Sequence, residues 1–109
     1  MHKSLHDGKW EEITLLIQMG NIGSEVSRAV KWIDKKEVIS KQAAERALEL
    51  LDLTIKALCG KNRYSAVKEI CRAREVFCDF IYGDNIYAST KESLVKYYDE
   101  FALYAPPAP

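Results

Sequence analysis

Proline is missing from the first 105 residues of this 109-residue chain, whose three prolines are Pro106, Pro107 and Pro109. No ring clash or lost N–H therefore interrupts a helix ahead of the tail. Histidine is confined to His2 and His6, before any periodic segment, which removes Ser-His and Cys-His catalysis and His-based zinc sites. The three cysteines, Cys59, Cys71 and Cys78, are odd in number and include no Cys-x-x-Cys pair. Neither a complete disulfide framework nor a thiolate zinc site is encoded. Long apolar runs are also lacking: the densest early stretch, Ile13 to Ile17, is broken by Thr14, far short of the ~20 residues a membrane span needs. No apolar stretch with a small-residue cleavage site stands near the N-terminus, so a cytoplasmic protein with no membrane partner is expected. An excess of one charge is absent too, 16 Lys+Arg balancing 16 Asp+Glu, and nucleic-acid binding cannot be argued from net charge.

What is present is a 48% hydrophobic chain of single-domain length with its apolar residues at helical spacing. Strand-like alternation does not persist between turn signals. Four helices are predicted, over residues 9–33, 41–59, 63–82 and 90–104. Short links between them favour antiparallel neighbours. The expected fold is all-α, a single-domain antiparallel helical bundle over residues 1–105 followed by a Pro-rich tail at 106–109. Ser40 is the expected N-cap of the second helix and Gly60 its stop. Gly83 is expected to end the third helix in a left-handed conformation, and Ser89 with Glu92 has capping-box spacing for the fourth.

On the first helix, 100° steps gather Leu15, Met19, Ile22, Val26 and Ile33 on one face and Leu16, Gly20, Gly23, Ser27 and Val30 on another. A helix with two such faces is central. Glycine inside a helix costs roughly 1 kcal/mol relative to alanine, so Gly20 and Gly23 ask for a backbone that approaches closely, from this chain or from a second copy in a homodimer. The second helix offers Ala44, Ala47, Leu48, Leu51, Ile55 and Leu58 to the core, and the third Val67, Ile70, Phe77, Cys78 and Ile81.

Polar residues flank these faces. Gln18, Asn21 and Glu25 form a stripe on the first helix; Glu45, Glu49 and Asp52 form one on the second. Arg74 falls near the middle of the third helix's apolar face, where a charge is rarely placed unless paired. Glu25, Glu45 and Asp52 are its candidate partners, and the same guanidinium, or Arg28, could instead meet an anionic ligand. Between Lys56 and Arg74 six cations, Lys56, Lys61, Arg63, Lys68, Arg72 and Arg74, face one acid, Glu69. That local basic patch, with Tyr64 within it, could receive phosphates.

The acidic stripe resembles the all-α nucleoside triphosphate pyrophosphohydrolases of the MazG type, which place Glu-x-x-Glu on one bundle helix and Glu-x-x-Asp on the next. Glu49-Leu50-Leu51-Asp52 looks like the second half; where the first half wants two acids, this chain has Gln18 and Asn21, with Glu25 one turn on. The resemblance spans residues 10–55 and implies Mg²⁺ held by Glu25, Glu45, Glu49 and Asp52, with Gln18, Asn21, Arg28 and Arg74 toward the ligand. A wider resemblance is to a small uncharacterised family of bacterial all-α proteins, carried by Asn21-Ile22-Gly23-Ser24-Glu25-Val26, Arg28 and Trp32, by Glu45 through Ile55, by Glu69-Ile70-Cys71-Arg72 through Asp79, and by Tyr97, Tyr98 and Phe101. It implies nucleotide or nucleic-acid processing. Helical ribonucleases of the HEPN type do not fit, because no histidine follows an arginine on a core helix. The expectation is thus a nucleotide- or nucleic-acid-related protein with divalent-metal-dependent phosphate chemistry; the alternative is a non-enzymatic, dimeric helical-bundle interaction protein whose polar stripes set helix register.

Overall fold

The computed structural model describes the backbone of residues 7–102 and the side chains of residues 14–101. It is an all-α bundle of four helices, α1 (Asp7–Trp32), α2 (Glu37–Gly60), α3 (Tyr64–Tyr82) and α4 (Lys91–Ala102). The Pro-rich tail at 106–109 lies outside the described residues. α1 spans 26 residues, about 39 Å at ~1.5 Å per residue. It is central: it packs on α2 along one side and on α4 along another, while α3 rests on α2. The face analysis of α1 anticipates this arrangement. Met19, Ile22, Val26, Leu51, Phe77 and Ile70 are fully or almost fully buried in the core, joined by Leu94 and Tyr98 of α4. Among the expected core residues Leu15, Ile33, Leu48, Ile55 and Val67 pack against this cluster while partly exposed. Among the described residues no helix is long and apolar enough to cross a membrane.

Three boundaries differ from expectation, each for a local reason. α2 begins at Glu37, four residues early, because the turn after α1 is closed by Lys35 N–H and Lys36 N–H donating to the Trp32 carbonyl, and Lys36 takes an extended conformation as N-cap. Ser40 is consequently not a cap. It is fully buried inside α2, and its Oγ donates to the Ala29 carbonyl of α1 at 2.7 Å, so the hydroxyl ties the two helices together. α2 does stop at Gly60, but the left-handed residue there is Asn62, at φ 58°, which lets Arg63 N–H reach back to the Leu58 carbonyl at 3.0 Å. A short polar side chain tolerates that conformation best after glycine.

At the far end of α3, Gly83 has φ −106°, an ordinary value. Its requirement is space: a Cβ there would stand 3.0 Å from the Asp79 carbonyl oxygen. Asp79 organises the loop that follows, its carboxylate accepting from Ile86 N–H and Tyr87 N–H at 2.9 and 3.0 Å. Asn85 brackets Ser89 through both ends of its amide. Ser89 is therefore engaged by the loop, and the capping box moves one residue on. Thr90 Oγ1 accepts from Ser93 N–H while Ser93 Oγ accepts from Thr90 N–H, both at 2.9 Å.

The two glycines of α1 separate in role. A Cβ on Gly23 would lie 2.7 Å from Tyr98 Cβ, whereas one on Gly20 would meet nothing within 4 Å. The close neighbour is thus α4 of the same chain, at Gly23 alone. Gly23→Ala should destabilise the fold by about 1–3 kcal/mol through overpacking, while Gly20→Ala should stabilise it by about 0.5–1 kcal/mol through helix propensity; urea denaturation of the two variants gives both signs. Equal effects of the two substitutions would contradict the packing described.

Candidate functional site

The acids flanking the core do not gather. Glu25 sits between two arginines, Arg28 Nη1 at 2.9 Å and Arg46 Nε at 3.3 Å. Asp52 takes Arg74 in a two-point pair, Oδ1 to Nε at 2.7 Å and Oδ2 to Nη2 at 3.4 Å. Glu45 and Glu49 are exposed on α2. Among the described residues, no three His, Cys, Asp or Glu side chains are grouped so that they could hold a metal ion. Asn21 is exposed and Gln18 half-buried, the latter lining a separate groove between α1 and α2 with Leu53 and Ala57. Of the residues read from sequence as ligand-binding or metal-ligating, the fold joins Glu25 to Arg28 and Asp52 to Arg74.

Arg74 is not buried at the centre of a core face. Its side chain keeps 38% of its exposure, because α3 is turned so that Ala73 and Phe77 occupy the inner positions. The hydrogen bond that Arg74 donates to the Asp52 carboxylate holds its pKa above the ordinary value. Arg74 Nη1 also reaches Cys78 Sγ at 3.7 Å. Burial pushes the Cys78 thiol up, and the Arg74 charge opposes this. The guanidinium thus spends its donors on one carboxylate and one sulfur of neighbouring turns, an arrangement that fixes the register of α3 on α2. At this level of exposure the pair is worth ~1 kcal/mol or less.

Sequence reasoning passed over the seam between α3 and α4. These helices are joined by an eight-residue loop at 83–90 and do not close on each other along their length; between them lies a cleft of about 300 Å³. Its apolar surface comes from Ala73, Val76 and Leu94, and its aromatic wall from Tyr97 and Tyr98. The two rings meet edge-on, centroids 5.0 Å apart, and Tyr97 meets Phe101 likewise at 5.4 Å. Tyr97 Oη donates to Glu69 Oε2 at 3.0 Å across the seam, and Arg72 stands exposed at the cleft. Tyr98 is 2% exposed, and its hydroxyl has no hydrogen-bond partner among the described residues. An orphan buried hydroxyl costs about 1–3 kcal/mol relative to a satisfied one. The sequence signals for this site were the Tyr97-Tyr98 pair and Arg72 of the basic patch, and neither reveals the seam, since one face of a helix cannot show that its neighbour stands away.

Both phenols are held far above their ordinary value of about 10, Tyr98 by burial and Tyr97 by burial together with the Glu69 carboxylate. The native state keeps protons that the unfolded chain releases, so their contribution is complete below pH ~10 and is lost as the pH rises through the raised values. Alkaline titration followed by circular dichroism and tyrosinate absorbance should show unfolding together with late ionisation. Tyr98→Phe should flatten the alkaline loss of stability; an unchanged alkaline limb would refute the assignment.

Compared with protein-family models, with curated proteins and with solved structures, the chain matches none of them.

Proposed function

We propose that this protein is a binding module for a nucleotide-class ligand, a planar heterocycle bearing an anionic group, taken in the cleft between α3 and α4. The observation that carries this reading is the Tyr98 hydroxyl, buried, unpartnered and on a residue of the cleft wall. The hydroxyl is closed off from solvent, so a ligand in the cleft meets it only when the Tyr98 ring turns outward; a heterocyclic nitrogen or carbonyl accepting from it there would remove its desolvation cost, which no apolar ligand would do. The rest of the lining suits the same class. Val76, Leu94 and Ala73 offer flat apolar contact, Tyr97 an aromatic edge, and Arg72 a cation for phosphate. The volume, about 300 Å³, falls at the lower end of ordinary ligand sites.

The same reading makes the module non-catalytic. Glu25 and Asp52 are held by arginines, and their ion pairs set helix register, the role expected of the polar stripes in an interaction protein. Among the described residues the cleft is lined by one acid, Glu69, already engaged by Tyr97, and by no cluster of acids that would position a metal against a phosphate.

The test is a thermal unfolding scan against nucleoside mono-, di- and triphosphates without added divalent cation, since a ligand bound only by the native state raises the melting temperature by mass action. A rise is expected with at least one of them. Tyr98→Phe should weaken binding by about five- to tenfold, the equivalent of ~1–1.4 kcal/mol, while leaving the ligand-free protein as stable or more so. Arg72→Ala should weaken phosphorylated ligands and spare the bare nucleoside; Glu49→Gln should change nothing. No rise with any nucleotide at millimolar concentration would sink the proposal.

A further inference from the structure

The end of the bundle opposite Asn62 presents a second feature, independent of the cleft. Here the α1–α2 turn and the α3–α4 loop lie together, linked by Lys91 Nζ to Asp34 Oδ2 at 2.8 Å and by Lys41 Nζ donating to the Ile81 carbonyl at 3.3 Å. The ammonium groups of Lys31, Lys35 and Lys36 converge on one indole, standing 5.4, 6.0 and 6.0 Å from the centroid of the Trp32 ring. No two of them can be farther apart than twice the longest of these distances, so even at that limit their separation is comparable to a Debye length of about 10 Å at 0.1 M salt. Among the described residues no carboxylate pairs with any of the three, and the acid of their own turn, Asp34, is taken by Lys91. A second ring carries a cation beside it: Lys41 Nζ lies 4.4 Å from the centroid of Tyr82, which is half exposed. Lys36 and Lys41 stand five residues apart at the start of α2, and each lies beside one of the two rings.

We infer that this end of the bundle binds single-stranded nucleic acid, with phosphates received by Lys31, Lys35 and Lys36 and bases stacked on Trp32 and Tyr82. Three like charges held around one ring repel each other, and a polyanion relieves that repulsion while releasing its own counterions. Aromatic faces next to cations are what an unpaired base requires, because stacking takes any base and needs no groove. An anionic membrane is the poorer fit. Trp32 is half-buried and cannot insert deeply into a lipid surface, whereas a flexible strand can follow the lysines around it.

The experiment is fluorescence anisotropy with labelled single-stranded DNA and RNA oligonucleotides over a range of salt. Binding is expected at low salt, with log K falling against log[salt] at a slope of about −2, from ~0.7 per lysine engaged. The triple variant Lys31→Gln, Lys35→Gln, Lys36→Gln replaces exposed side chains and should keep its melting temperature while losing at least tenfold in affinity and most of the salt slope. Trp32→Phe, which retains a ring, should bind more tightly than Trp32→Ala, by about fivefold or more. No binding at low salt, or binding that the triple variant leaves intact, overturns the inference. So does capture by phosphatidylserine vesicles with no oligonucleotide binding, which would assign the lysines to a lipid headgroup surface.

Discussion

The fold turns on the contact between Gly23 of α1 and Tyr98 of α4. Because position 23 has no Cβ, the start of the Tyr98 side chain comes within 2.7 Å of where one would be, and α4 lies directly on α1. Dispersion contacts fall steeply with small gaps, so this close seam secures the short C-terminal helix to the longest one. The consequence reaches the opposite side of α4. With its small-residue neighbour chosen, α4 buries Tyr98 and Leu94 and turns Tyr97 toward α3. It does not come close enough to α3 to fill the space between them. The cleft is thus a by-product of where the tightest packing was spent.

Charge plays a different part from packing in this molecule. Arg28 and Arg46 share Glu25, and Arg74 grips Asp52; the Arg28 pair lies within α1, while those of Arg46 and Arg74 cross from one helix to the next, and exposure keeps the energetic value of all three small. Their contribution is alignment, since a two-point guanidinium–carboxylate pair is satisfied at one register and not at the neighbouring ones. Ser40 does similar work inside, donating to the Ala29 carbonyl at a position where two alanine-rich surfaces would otherwise slide. Three further cations, Lys31, Lys35 and Lys36, gather about Trp32 instead of about a carboxylate, at the end where two chain reversals meet.

Much of the bundle was legible in the sequence because helical periodicity is a local property. The absence of proline before Pro106, the spacing of Met19, Ile22 and Val26, and the small residues of the second face of α1 identify four helices with a central first one. Errors of detail arose where a residue's role depends on a partner beyond its own helix. Ser40 reads as a cap by its type, yet a buried carbonyl eleven residues away claims its hydroxyl. Arg74 reads as buried by its helical angle, yet the rotation of α3 on α2 carries it to the edge, where Asp52 waits. Ser89 has the spacing of a capping box, yet Asn85 binds it first and Thr90 caps in its place.

The sequence by itself determined the all-α class, the number and approximate span of the helices, and many of the residues that face inward, since each of these follows from composition and from a repeat of about 3.6 residues. Tertiary structure decided everything that needs two helices to be placed against each other. It gave Glu25 and Asp52 to separate arginines, left Tyr98 without a hydrogen-bond partner among the described residues, and brought three lysines around one indole. A one-dimensional pattern records the face on which a side chain lies; only the rotation and separation of the neighbouring helix fix what that side chain meets.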